Sequence, residues 1–159
     1  VAERSRPGPN RRSTEIGKIA EWALEPVVMI DQYPSTVVDV YINILQANAS
    51  TRCAGINAAS MALAHAGIPM KDMVSSVSIG KLDKQLVVDL TKKEEDWEEG
   101  EGSTDIPITL THNGEITHIQ VDGKIKPEQL KEAVEMAKKA CKQIYEVQKN
   151  ALKEVGGEE

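Results

Sequence analysis

The residues best suited to chemistry lie in the segment LQANASTRCAGINAASMALAHAGI, residues 45–68. Thr51 and Arg52 begin a run of small residues that ends at Gly67, which indicates a helix from about residue 51. The helix dipole disfavours an arginine at this end unless an anion joins it. One interpretation is therefore an anion site built from Thr51, Arg52 and the free backbone N–H groups. The alternative is that Arg52 points into solvent or meets a carboxylate.

A second candidate is the arginine pair Arg11 and Arg12 in RPGPNRRSTEI. Guanidinium groups bind phosphate oxygens two at a time. Proline and glycine predict that residues 1–12 form an extended basic arm ahead of a helix. The alternative is a solvated basic tail.

A third candidate is the acidic stretch DLTKKEEDWEEGEGSTDIP. Asp96 and Asp105 stand near the ends of two predicted flanking strands, where carboxyl groups could bind a divalent metal or protonate a leaving group. The alternative is an ordinary solvated loop.

Composition limits the classes of function only weakly. The chain has 159 residues and a net charge of -6, which fits one domain over residues 1–159 and does not favour nucleic-acid binding. A local basic cluster can nevertheless bind phosphate. The aromatic content of 3% argues against a platform on which successive bases stack. Two distant cysteines and no membrane-length apolar run predict a cytoplasmic protein without membrane contact.

The hydrophobic pattern predicts an α+β fold with a mixed or antiparallel sheet and packed helices. Ser13 is predicted to cap the first helix, which ends before Pro26. Asn113-Gly114 between alternating apolar runs predicts a hairpin. The other predicted elements are strands over residues 36–47, 74–80 and 84–90 and a C-terminal helix over 126–155.

Taken in order, these motifs resemble the RNase PH family of phosphorolytic exoribonucleases, above all the catalytic subunits of the archaeal exosome ring. The resemblance rests on Arg-Pro-Gly-Pro-x-Arg-Arg, Leu-Gln-Ala, Thr-Arg-Cys-Ala-Gly, Ala-Gly-Ile-Pro, SIGKLDKQLVVDL and Asp-Ile-Pro. It spans essentially the whole chain. Family chains have a strand-rich N-terminal portion ahead of these motifs, so the resemblance implies an RNase PH-like domain truncated at its N-terminus.

The resemblance also implies site residues. Thr51 and Arg52, with Ser50 as a backbone contributor, would bind inorganic phosphate, the co-substrate. Arg11 and Arg12 would contact the RNA. Asp96 and Asp105 would supply general acid chemistry or hold Mg²⁺ or Mn²⁺, with Glu95 competing for the place of Asp96 because the acidic loop is long.

The activity implied is attack by phosphate on the last phosphodiester of single-stranded RNA, releasing a nucleoside diphosphate from the 3' end. The implied partners are a related inactive RNase PH-like subunit in a hexameric ring and RNA-binding cap subunits. The alternatives are a homohexameric RNase PH that trims tRNA 3' ends and a non-catalytic structural, RNA-binding ring subunit. One departure stands beside the site: Asn48-Ala49-Ser50 replaces the family's Asp-Gly-Gly or Asp-Ala-Gly.

Overall fold

The computed structural model describes Gly8 and residues 10–156. A short 3-10 turn at Ile30–Gln32 follows the first helix. The helices are α1 (Arg11–Leu24), α2 (Thr51–His65), α3 (Lys92–Glu95) and α4 (Pro127–Gly156), and the strands are β1 (Val74–Leu82), β2 (Gln85–Val88), β3 (Ser103–Thr111) and β4 (Ile116–Ile119).

Helix α1 starts earlier than the sequence predicted. Asn10, and not Ser13, is the N-cap: its side-chain oxygen accepts a hydrogen bond from the Ser13 N–H at 2.9 Å, and Ser13 Oγ accepts one from the Asn10 N–H at 3.1 Å. This reciprocal pair satisfies two N–H groups at the helix start. Arg11 and Arg12 therefore lie in the first turn of α1 rather than in an extended arm. Residues 1–7 and 9 of that predicted arm lie outside the described residues.

The predicted strand over residues 36–47 is wrong. These residues form neither strand nor helix, and Val37 and Tyr41 are 81% and 85% exposed. A strand requires backbone hydrogen bonds to a neighbouring strand, whereas part of this segment shares a hollow with residues of α1 and α2. Ile42 packs against the helical core. The alternation in the sequence corresponds to a difference in exposure, since Val38 and Val40 are 45% and 40% exposed, but the segment forms no ladder with another described strand.

The strands form one sheet in the order β2-β1-β3-β4, and every neighbouring pair is antiparallel. This confirms the predicted α+β class. Asn113-Gly114 forms the turn between β3 and β4, and Gly114 adopts a φ of 86°, a conformation that suits a residue without Cβ.

Helix α4 covers one face of the sheet. Val77 and Ile79 of β1 lie opposite Ile108 and Ile106 of β3, and all four pack against α4. A second apolar cluster joins α1, α2 and the start of β1 at Val74. The two helical layers thus hold the sheet and α2 in a fixed relation.

A buried polar network also fixes α2 and α4 against β1. Asn57 on α2 exchanges two hydrogen bonds with the backbone of Ser76, at 2.7 and 2.8 Å. Gln148 on α4 donates to the Asn57 and Val74 carbonyls and accepts from Ser75 Oγ. We call these five residues the Asn57–Gln148 network. It sets the position of α2 and hence of its N-terminus.

Within residues 10–156, none of the helices combines the length and the apolar character that crossing a bilayer requires.

Candidate functional site

Helix α2 begins without a side-chain cap. Ala49 and Ser50 precede it with φ values of 62° and 50°, and Ser50 makes no capping hydrogen bond. Ser50 Oγ is buried and has no hydrogen-bond partner among the described residues. The first N–H groups of a helix have no partner within the helix, so this end presents several unused donors.

Arg52 lies in the first turn of α2 and is only 19% exposed in its side chain. Its Nη2 atom lies 3.1 Å from Glu15 Oε1 on α1, so the carboxylate contact considered from the sequence is present. Its buried Nε atom has no partner in the described part of the chain. One arm of the guanidinium is therefore anchored while another donor remains unused.

A cleft of about 460 Å³ opens at this helix start. We call it the α2 cleft, and it brings together five of the predicted site residues: Arg12, Ser50, Thr51, Arg52 and Asp105. Two others lie elsewhere. Arg11 lines a different hollow, between α1 and β4, and Asp96 is not among the residues that line the cleft.

Asp105 on β3 is the partly buried carboxyl group of the cleft. Ser78 Oγ on β1 donates a hydrogen bond to Asp105 Oδ1. Burial raises the pKa of Asp105 above its usual range, and the charges of Glu95 and Asp122 add to this, while Ser78 and Arg52 act in the opposite direction. A carboxyl group of this kind holds its proton more readily than a solvated one.

The acidic loop does not bring Asp96 to the cleft that Asp105 lines. The loop contains α3, started by a reciprocal bond pair between Thr91 and Glu94. On this short helix the Asp96 carboxylate is 62% exposed and pairs with Lys92 Nζ at 2.7 Å. Glu95, the competing residue, lines the cleft instead. Across the described residues there is no group of three or more His, Cys, Asp or Glu side chains placed to hold a metal ion.

Four further residues of the cleft were not singled out as site residues from the sequence. Asn48 accepts a hydrogen bond from the Lys92 N–H at 3.0 Å, which ties the segment before α2 to α3. Lys92, Ser78 and Asp122 line the cleft beside it. Ser78 and Asp105 lie diagonally across the β1–β3 ladder, two positions apart in register, and only knowledge of that register would have paired them.

Cys53 also lines the cleft but does not suit nucleophilic chemistry. Burial raises the pKa of its thiol to about 12, so the reactive thiolate is scarce near neutral pH. Cys53 is thus a small buried apolar residue of α2.

The comparisons with known proteins define the class. Residues 1–69 match domain 1 of the 3' exoribonuclease family, RNase PH, and residues 72–140 match domain 2 of the same family. The chain therefore belongs to the RNase PH family of 3' exoribonucleases.

Several archaeal relatives carry one name. The chain is 47% identical over 153 residues to the exosome complex component Rrp41 of Methanosarcina mazei, covering 96% of this chain and 30% of that protein. It is 47% identical over 158 residues to that of Methanopyrus kandleri, covering 99% of this chain and 64% of that protein. The chain thus spans less than two thirds of the length of these relatives.

A solved structure shows the same fold. The crystal structure of rice Rrp46 superposes with a TM-score of 0.81 at 20% identity, covering 92% of this chain and 68% of that one.

Proposed function

We propose that this chain is part of a phosphate-dependent 3'→5' exoribonuclease of the exosome ring, which releases nucleoside diphosphates from single-stranded RNA. The observation that carries the proposal is the uncapped start of α2, where Ser50 Oγ and Arg52 Nε are buried beside Asp105 and have no hydrogen-bond partner among the described residues. The family match and the archaeal relatives named as exosome components support it.

The attacking phosphate would bind at the start of α2. The free N–H groups of the first turn, Ser50, Thr51 and the unused donor of Arg52 offer hydrogen bonds to a tetrahedral anion. Arg12, at the same cleft, would hold the phosphate group of the last RNA linkage. Two anions must approach each other in this reaction, so paired cations are what the transition state requires.

Asp105 would donate a proton to the departing oxygen. An oxygen of the bound phosphate attacks the phosphorus of the last linkage, and the bond from phosphorus to the 3' oxygen of the preceding nucleotide breaks. That departing oxygen needs a proton. A carboxyl group whose pKa is raised by burial holds its proton more readily than a solvated one, which suits a general acid.

A divalent ion fits the cleft in a limited way. Mg²⁺ is commonly held by one or two carboxylates together with substrate phosphates and water, and Mn²⁺ accepts similar oxygen ligands. Asp105 and Glu95 both line the cleft and Asp96 does not, so Glu95 and an ionised Asp105 would hold the ion. This role is the alternative to that of Asp105 as a general acid, because a carboxyl group binds a metal in its deprotonated form. When bound, the ion would supply neutralisation of charge on the phosphate oxygens.

Assembly completes the proposal. We expect the full-length protein to form a hexameric ring with a related inactive subunit and to receive RNA through cap subunits. The homohexameric RNase PH that trims tRNA ends remains the alternative assembly.

The test is an incubation of the full-length protein, with and without its ring partner, with 5'-labelled single-stranded RNA and Mg²⁺. Diphosphates that appear only when phosphate is added support phosphorolysis, and dependence on the partner supports the exosome assembly. Asp105→Asn is the matched variant: it keeps the size and the hydrogen bond from Ser78 but carries no exchangeable carboxyl proton. Monophosphates formed without phosphate would mean hydrolysis. RNA binding and ring assembly without products would assign the chain to the non-catalytic class.

A further inference from the structure

A second hollow lies beside the α2 cleft, between α1 and β4. It has a volume of about 650 Å³ and we call it the α1–β4 hollow; its lining includes Arg11, Glu15, Lys18, Trp22, His118 and Gln120. It adjoins the cleft at two points. Arg11 precedes Arg12 in the first turn of α1, and Glu15 in the hollow forms the ion pair with Arg52 in the cleft.

Trp22 gives the hollow an aromatic surface. Its side chain is 51% exposed although tryptophan is large and apolar. Lys18 Nζ lies 5.6 Å from the centre of its ring. An indole half-exposed on a concave surface can stack with another flat ring, and a cation beside it favours a ligand that also carries phosphate.

Two polar groups in the same hollow have no use within the described chain. His118 Nε2 and Gln120 Oε1 are buried and lack hydrogen-bond partners among the described residues. Burial lowers the pKa of His118, and the charge of Arg52 lowers it further. The lowered pKa favours the neutral imidazole, which donates from one nitrogen and accepts at the other. Unpaired donors and acceptors next to an aromatic face match the edge of a nucleobase.

We propose that the α1–β4 hollow binds one base of the RNA strand whose 3' end occupies the α2 cleft, stacked on Trp22 and hydrogen-bonded by His118 and Gln120. This inference rests on the proposed function for its ligand. It adds a base-binding subsite on the RNA side of the reaction, where Arg11 would neutralise a phosphate of the strand.

The charge of the α1–β4 hollow and its position next to the α2 cleft favour RNA over a protein partner. The lining of the hollow has two cations on α1, of which Lys18 pairs with Glu21, and one carboxylate, Glu15, which pairs with Arg52. Arg11 is therefore the cation that the hollow offers to a phosphate. The neighbouring α2 cleft contains Ser50 Oγ and Arg52 Nε, donors that have no partner within residues 10–156. The low aromatic content excludes a platform for successive bases but leaves room for one stacking position.

The test uses the full-length protein with its ring partner, in the absence of phosphate, so that binding is measured without turnover. We expect Trp22→Leu to weaken binding of a short single-stranded RNA about tenfold, since one stacked base contributes on the order of that factor. Trp22→Phe keeps an aromatic face and should restore most of the affinity. Trp97→Leu is the matched control, because Trp97 is 45% exposed and does not line the hollow.

A series of RNAs with one abasic position at a time makes the test specific to a base. Removal of the base at one position should weaken binding to the unaltered protein about as much as Trp22→Leu does. Combining that abasic RNA with the Trp22→Leu protein should cause no further loss of affinity. Equal affinity of Trp22→Leu and Trp97→Leu, or additive losses at every position, would overturn the proposal.

Fluorescence separates RNA from a protein occupant. In a full-length protein whose tryptophans other than Trp22 are replaced by phenylalanine, Trp97 among them, RNA should quench the Trp22 emission relative to the abasic strand. Quenching or a spectral shift on adding a partner chain that carries no tryptophan, with no further change on adding RNA, would show a protein interface and overturn the proposal. These measurements need no turnover, so a failure of phosphorolysis and a failure of base binding are distinguishable.

Discussion

Two polar regions contact helix α2, and they differ in whether their buried polar groups are hydrogen-bonded. In the Asn57–Gln148 network, both side-chain amides are paired: Asn57 bonds the backbone of Ser76, and Gln148 bonds Ser75 Oγ and two carbonyls. In the α2 cleft, Ser50 Oγ and Arg52 Nε are buried without partners in the described residues.

The difference separates structure from function. Buried polar groups in folded proteins are nearly all hydrogen-bonded, because an unpaired one costs the loss of its hydration. The network meets this requirement internally, so it fixes α2 and α4 against β1. The cleft leaves two donors unmet, which is explained if an external anion completes them. The network should therefore carry stability and the cleft should carry activity.

Arg52→Ala should give the largest effect on activity. Removing a preorganised donor to a reacting oxyanion costs roughly 10²–10³ in rate, and we expect a loss of phosphorolysis of about that size. Stability should fall by less than about 1 kcal/mol, since the lost ion pair joins Arg52 to the half-exposed Glu15. Phosphate-dependent turnover and urea unfolding measure the two effects.

Arg11→Ala is the control for Arg52. It removes the same side-chain type from the α1–β4 hollow, so it should weaken RNA affinity and leave the KM for phosphate unchanged. Undiminished phosphorolysis in Arg52→Ala would remove the assigned phosphate role.

Gln148→Ala tests the role of the Asn57–Gln148 network in stability. Gln148 is buried and makes three hydrogen bonds, so its loss leaves Ser75 Oγ and two carbonyls without those bonds. We expect the free energy of unfolding to fall by about 2–3 kcal/mol, with the KM for phosphate unchanged in the folded protein. Urea unfolding checks the first and phosphate titration the second.

Gln143→Ala is the matched control, because Gln143 lies on the same helix and is exposed. Its stability should change by less than about 0.5 kcal/mol. Equal losses for the two glutamines would mean that the network is not what holds α4 to β1.

Local signals explain what could be predicted from the sequence. Gly67 adopts a φ of 73° just after α2, and the apolar periodicity of α4 and the Asn113-Gly114 turn likewise depend on near neighbours. The strand prediction for residues 36–47 was wrong because a strand needs a neighbouring strand to pair with, and alternation of apolar residues does not show whether one is present.

Only those features of the candidate site that depend on local signals could be predicted from the sequence. Arg52 at the start of α2 follows from a helix boundary, which is local. The position of Glu95 relative to Asp96 depends on α3, since Lys92 pairs with both carboxylates but only Glu95 lines the cleft. The Ser78–Asp105 bond depends on the register of β1 with β3. Neither the placement of α3 nor the register of β1 with β3 can be derived from loop spacing or from patterns in a single sequence.

Glu95→Gln and Asp96→Asn sharpen the comparison within the cleft. Both substitutions remove one negative charge and keep nearly the same shape. Because Glu95 lines the cleft and Asp96 does not, we expect Glu95→Gln to lower turnover about tenfold, within the range typical of one charge in a site, and Asp96→Asn to lower it less. Single-turnover rates at saturating phosphate and RNA give the measurement. A larger loss for Asp96→Asn would restore the pairing predicted from the sequence.

The smallest effect should come from the pH dependence of folding in Asp105→Asn. Burial raises the pKa of Asp105 in the folded state, so the fold holds the neutral carboxyl better than the ionised one. The unaltered protein therefore loses part of its stability as pH rises from the ordinary aspartate pKa through the raised value. Asparagine does not titrate, so the variant should be more stable than the parent near pH 7, and the two should converge below about pH 4. Urea midpoints at the two pH values measure this difference. A variant that is less stable near pH 7 would mean that Arg52 holds Asp105 as a structural carboxylate, which would place Asp105 with the network rather than with the chemistry.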